Sequence, residues 1–172
     1  MWKKIIFLIV SITIIVVAVG LIMKNSKEKT KESNTENSKS NTAFSVKYRG
    51  EEIVPGTEFS ANKIDEEANI SEIPSCAFAG IDKIYTYKNF EIIVASVNGK
   101  DTIYSVYFDN DEMETTEGVK VTDTKDHMIE KYGTDYEQKL GNKYIYLNGN
   151  VELSFIIESD IITAIEYTLV TE

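Results

Sequence analysis

The chain has 172 residues, 42% of them hydrophobic, with only two Pro and one Cys, which gives room for one ordinary folded domain beside a leader. Its net charge of −10 is unevenly spread: residues 1–43 carry seven Lys against three Glu, while residues 44–172 carry eleven Lys or Arg against twenty-five Asp or Glu. So acidic a surface repels nucleic-acid phosphates and anionic headgroups, and one Cys (Cys76) with one His (His127) can form neither an internal disulfide nor an ordinary zinc site.

The first predicted element is a membrane span. Ile5–Met23 contains no charge, follows Lys3 and Lys4, and as a helix reaches about 28 Å, close to the hydrocarbon thickness of a bilayer. Its Ile and Val disfavour a helix in water, but in lipid a helix is the only single span that satisfies its own backbone. Small residues at Ala18-Val19-Gly20 suit a signal peptidase, yet apolar Leu21, Ile22 and Met23 follow, and no Cys lies nearby for lipidation. Residues 1–24 are therefore expected to be an uncleaved, single-pass signal anchor. Lys24, Lys27, Lys29 and Lys31 outweigh the N-terminal lysines, which opposes export by the positive-inside rule, whereas a two-lysine start running straight into the apolar stretch has the form of an export signal. The expectation is a domain outside the cell membrane. Residues 25–43 form a polar linker, and Asn25–Asn41 has no apolar residue with which to offset the entropy of ordering.

From Phe44 the pattern turns to short β-rich runs. SVKYRG reads as a first strand, then IYTY (84–87), FEIIVAS (90–96) and TIYSVYF (102–108), with Asn98-Gly99 among the turn residues. Gly118–Gly133 reads as a short helix capped by Thr122 or Asp123, with Met128, Ile129 and Tyr132 as its apolar stripe and Gly133 as its end. KYIYL (143–147), VELSFII (151–157) and IITAIEYTLV (161–170) follow, the first two joined through Asn148-Gly149, a strong hairpin signal. Tyr85-Thr86-Tyr87 aligns with Tyr144-Ile145-Tyr146, and Asn89-Phe90-Glu91-Ile92 with Asn150-Val151-Glu152-Leu153. The expected fold class is α+β: two tandem units, about 44–112 and 113–172, each a short helix plus a three-stranded antiparallel meander.

Candidate sites are sparse. Tyr85, Tyr87, Tyr144 and Tyr146 recur in both units, each pair on one strand face, and form the candidate binding surface for a sugar or a protein; tyrosines that merely cover a core give the same pattern. The acidic run Asp109–Glu114 suits a cation but breaks the EF-hand pattern at Met113 and Glu114. A Cys76–His127 dyad lacks any marked orienting group or oxyanion site, and adjacent carboxylates such as Glu66-Glu67 are commonplace in so acidic a chain. No catalytic, cofactor or metal residue is assigned.

EIPSCAFAGIDKIYTYKNFEI, GVKVTDTKDHMIEKYGTDY and YIYLNGNVELSFIIESDIITAIEYTL resemble a group of uncharacterised exported lipoproteins and membrane-anchored proteins of low-GC Gram-positive anaerobes. In that group a Gly-x-x-x-Gly-Asp-Thr-Lys-like turn introduces the helix; here Thr122 stands at the second glycine. A helix ending in Lys-Tyr-Gly before antiparallel strands is similar, more distantly, to the assembly lipoprotein BamE and to the beta-lactamase inhibitory protein. That resemblance implies a fold that binds proteins and does no chemistry. The expectation is a membrane-anchored, extracytoplasmic, non-catalytic domain with a protein partner at the cell envelope; the alternative is a module for cell-wall glycan or a cation.

Overall fold

A computed structural model of the chain describes residues 43–171 with the exception of Asp65. The expected anchor at 1–24 and the linker up to residue 42 lie outside these residues. Among the described residues, no helix is long and apolar enough to cross a membrane.

Strand makes up 51% of the structure and helix 9%, so the domain is mainly β and the expected α+β class is corrected. Strands β1 (Val46–Tyr48) and β2 (Glu51–Ile53) form a small hairpin of their own, turned by Arg49-Gly50 with both residues at positive φ. A 3-10 turn at Ala61–Lys63 leads to β3 (Asn69–Pro74), β4 (Ile81–Thr86), β5 (Glu91–Val97) and β6 (Lys100–Phe108). Helix α1 (Lys125–Tyr132) leads to β7 (Glu137–Lys139), β8 (Lys143–Asn148), β9 (Val151–Glu158) and β10 (Ile161–Leu169). Strands β3 to β10 make one antiparallel sheet of eight, in the order β3-β4-β5-β6-β10-β9-β8-β7. Two four-stranded meanders thus meet at β6 and β10, with Phe108 opposite Ile165 and Val106 opposite Tyr167.

The tandem helix-plus-meander units are the second correction. Each meander has four strands, and among the described residues α1 alone is an α-helix; the first meander is preceded by the 3-10 turn. A helix that packs on a sheet needs an apolar stripe. Helix α1 supplies Met128, fully buried, with Ile129 and Tyr132 half-buried beside it. Residues 61–68 read ANKIDEEA and offer Ile64 as their one large apolar side chain. There Glu66 instead accepts hydrogen bonds from the Tyr48 hydroxyl and the Lys88 amide and lies 3.5 Å from Arg49, which holds its carboxyl below the usual range, first through Tyr48.

The turns follow residue chemistry. Asn98-Gly99 closes the β5–β6 hairpin with both residues at positive φ, as a two-residue hairpin requires. Gly149-Asn150 closes β8–β9, one residue later than the Asn-Gly pair suggested. Thr124 caps α1, its side chain accepting from the His127 amide, in place of Thr122 or Asp123; Gly133 ends the helix at φ +82°.

One sheet face makes the core. A lateral row of cross-strand partners runs Tyr85, Ile92, Val106, Tyr167, Leu153, Tyr146 across β4, β5, β6, β10, β9 and β8. Met128 of α1, Val46 and Tyr48 of β1, Ile53 of β2, and Met113, Val119 and Val121 of the segment between the meanders complete the same cluster. The Tyr132 ring lies tilted, its centroid 5.2 Å from that of Tyr146 and 5.4 Å from that of Phe155, whereas Tyr48 sits 4.7 Å from Phe90. The helix therefore covers the second meander and the β1–β2 hairpin covers the first.

The open face of the sheet as candidate site

The face opposite the core is built by the same alternation, one residue out of step. Two lateral rows cross it. Thr86, Glu91, Tyr107, Glu166, Ser154 and Ile145 are successive cross-strand partners, as are Ile84, Ile93, Ser105, Thr168, Glu152 and Leu147. Ser105, Ser154 and Ile145 are buried beneath larger neighbours, Leu147 is exposed, and the other eight are half-buried. At one corner the loop of residues 75–80 folds in, with Phe78 edge-on to Tyr104 at 5.7 Å.

The charge in the two rows is carboxylate: Glu91, Glu152 and Glu166. Glu166 accepts from the Ser105 hydroxyl at 3.1 Å and from Lys143 at 3.2 Å, and Glu91 accepts from Thr86 at 3.0 Å. The Tyr107 phenol is pushed up by burial and then by the charges of Asp109, Glu91 and Glu166; Tyr104 is pushed up by burial, Glu166 and Asp82. In both, burial is the larger cause and the neighbouring carboxylates add to it. Two side-chain atoms on this face, Asp82 Oδ1 and Ser154 Oγ, are buried without a hydrogen-bond partner among the described residues. Each is a polar group whose desolvation is uncompensated within the chain.

The four tyrosines proposed from the sequence lie elsewhere. Tyr87, Tyr144 and Tyr146 are buried in the core, and Tyr85 is half-buried against Phe59 with ring centroids 4.5 Å apart. Tyr85 sits opposite Ile92 as Tyr146 sits opposite Leu153, so a single gapless offset relates Tyr85 to Tyr146, where sequence alignment pairs it with Tyr144. Tyr85 and Tyr146 are five strands apart in the row, about 24 Å, and the four rings do not line one groove. Lys125 reaches Tyr144, donating to its hydroxyl at 2.9 Å, and Tyr146 donates to the Gly133 carbonyl at 2.7 Å.

Neither a family model, nor a curated protein, nor a solved structure matches this chain. The chemistry of its sites is therefore read from geometry alone. Cys76 is exposed in the 75–80 loop, beside the open face, while His127 is on α1 over the core face, 3.7 Å from Asp123 and 3.8 Å from Glu130. The sheet separates the two. In the acidic run, Met113 is buried as an anchor, Asn110 donates to the Asn89 carbonyl at 2.6 Å, and Glu114 lies 3.8 Å from Lys120. Among the described residues no three His, Cys, Asp or Glu side chains converge as metal ligands. Sequence reasoning missed the open face because Tyr107, Ile93 and Glu152 stand alternately with core residues; the alternation was legible, but which side would be covered was not.

Proposed function

We propose that the chain is a membrane-anchored, extracytoplasmic, non-catalytic protein-binding domain whose open sheet face receives a basic partner surface. The observation that carries this reading is the composition of the two open rows: Tyr107, Ile84, Ile93 and Leu147 offer apolar and aromatic area between Glu91, Glu152 and Glu166. Apolar area of that kind, half-buried and bordered by carboxylates of which Glu166 is paired with Lys143, suits recognition of a basic protein surface. The acidic excess of residues 44–172 favours the same sign of partner. An anchor at residues 1–24 and a polar linker would hold this face within reach of other envelope components.

The test is capture of envelope proteins by the full chain in detergent, comparing wild type with Tyr107→Ala. Removing a central aromatic anchor costs about 2 kcal/mol, or roughly thirtyfold in affinity. A protein held by the wild type and lost from the variant supports the reading. Equal retention by both, or retention of cell-wall glycan instead of protein, contradicts it.

A further inference from the structure

The two edges of the eight-stranded sheet are unlike. Strand β7 is three residues long, Glu-Gln-Lys, and so short and charged an edge discourages pairing. Strand β3 is six residues long, NISEIP, and every one is exposed, with Ile70 at 61% and Ile73 at 37%. Among the described residues its one partner in the sheet is β4, so alternate residues turn their backbone N–H and C=O groups to the open side. Glu72 is its single charge, and Pro74 blocks only the last position.

Beside this edge, on the core side, an open cleft of about 610 Å³ is lined by Ile64, Ala68, Ile70, Tyr85, Tyr87 and Glu67, among others. Ile70 pairs with Tyr85 and so points to the cleft side; Glu72, two residues on, points the same way. Lys83, the cross-strand neighbour of Glu72, is bonded to Asp101 at 3.1 Å. An incoming strand would thus meet an apolar position and an acidic position two residues apart, above a cleft able to take a side chain.

We infer that the edge of β3, with the cleft beside it, takes an extended basic segment of a partner protein by strand addition. The segment carries an apolar residue and a Lys or Arg two positions apart, set against Ile70 and Glu72. Main-chain hydrogen bonds supply the affinity and the alternate side chains the selectivity. A second copy of this chain is the poorer occupant, because it brings an equal acidic excess and sets Glu72 against Ile70 or another Glu72. The inference rests on the reading that the domain binds protein, but it uses a surface separate from the open face.

The probe is a phage-displayed library of linear peptides panned on the full chain in detergent. Enriched peptides should combine an apolar residue with Lys or Arg at a spacing of two. A synthetic member should slow amide exchange in residues 69–72 at least tenfold. Ile70→Lys, at an exposed position that leaves the unfolding midpoint unchanged, should weaken binding at least tenfold, while Tyr107→Ala leaves it unaltered. Peptides without basic residues, or exchange slowed around Tyr107 and not in β3, would overturn the edge site while sparing the open face. Protection of β3 in a dimer without peptide overturns it as well, in favour of self-pairing. Peptide binding to β3 together with unchanged protein capture by Tyr107→Ala would sink the open-face reading and leave the edge intact.

Discussion

Thr122 holds φ at +79°, a left-handed conformation that a β-branched side chain adopts only under strain. Its counterpart before the first meander is Gly56, at φ +89°. The two positions do the same work. The Gly56 amide donates to Ile103 O and the Ile103 amide to Thr57 O; the Thr122 amide donates to Ile162 O and the Ile162 amide to Asp123 O. Each turn pins the chain to an inner strand of its meander, Gly56 just after the β1–β2 hairpin that covers the first and Thr122 just before the helix that covers the second. The glycine missing from the sequence pattern at 122 therefore changes the cost of the turn and not its shape. Thr122→Gly should raise stability by about 1 kcal/mol in urea unfolding, the relief of strain exceeding the added entropy of the unfolded chain. No change, or a loss, would mean that the threonine side chain is worth more than the strain.

Helix α1 is fastened at both ends by groups from other elements. The Lys125 amide donates to the Asp160 carbonyl in the β9–β10 turn, and the Gly133 carbonyl accepts from the Tyr146 hydroxyl of β8. Burial and then the charge of Tyr136 push the Tyr146 phenol up to about 12. A raised folded-state value means that the folded chain holds this proton more tightly than the unfolded one. The stability it contributes is whole below the ordinary value of 10 and is lost as pH rises from 10 towards 12. The loss falls within that window and reads as an alkaline decline in stability. Tyr146→Phe should be about 1 kcal/mol less stable at neutral pH and show a shallower alkaline decline; an identical slope would place the titration elsewhere. The elements readable in the sequence were those with one covered side. Alternation marked β5, β6, β9 and β10, and helical spacing marked α1. Strands β3 and β7 escaped because an edge exposed on both faces carries no alternation, and the helix expected in the first half had only Ile64 to bury.

The whole domain rests on the seam between β6 and β10, which joins two meanders into one sheet. Sequence similarity between the halves located the hairpins but overstated the likeness, because covering segments of different kinds close the same face. On the first meander the cover is the β1–β2 hairpin; on the second it is α1. Once one face is closed in this way, the opposite face, with its carboxylates around Tyr107, is left open, and it is the face proposed to receive a partner. The most direct check is to place photo-crosslinking residues in the full-length chain, in the cells that make it, at Ile93, Tyr107 and Glu152 and, on the exposed side of α1, at Glu130 and Lys131. Protein adducts should form from the first three positions and not from the helix; adducts from the helix alone, or none from the open face, would contradict the account.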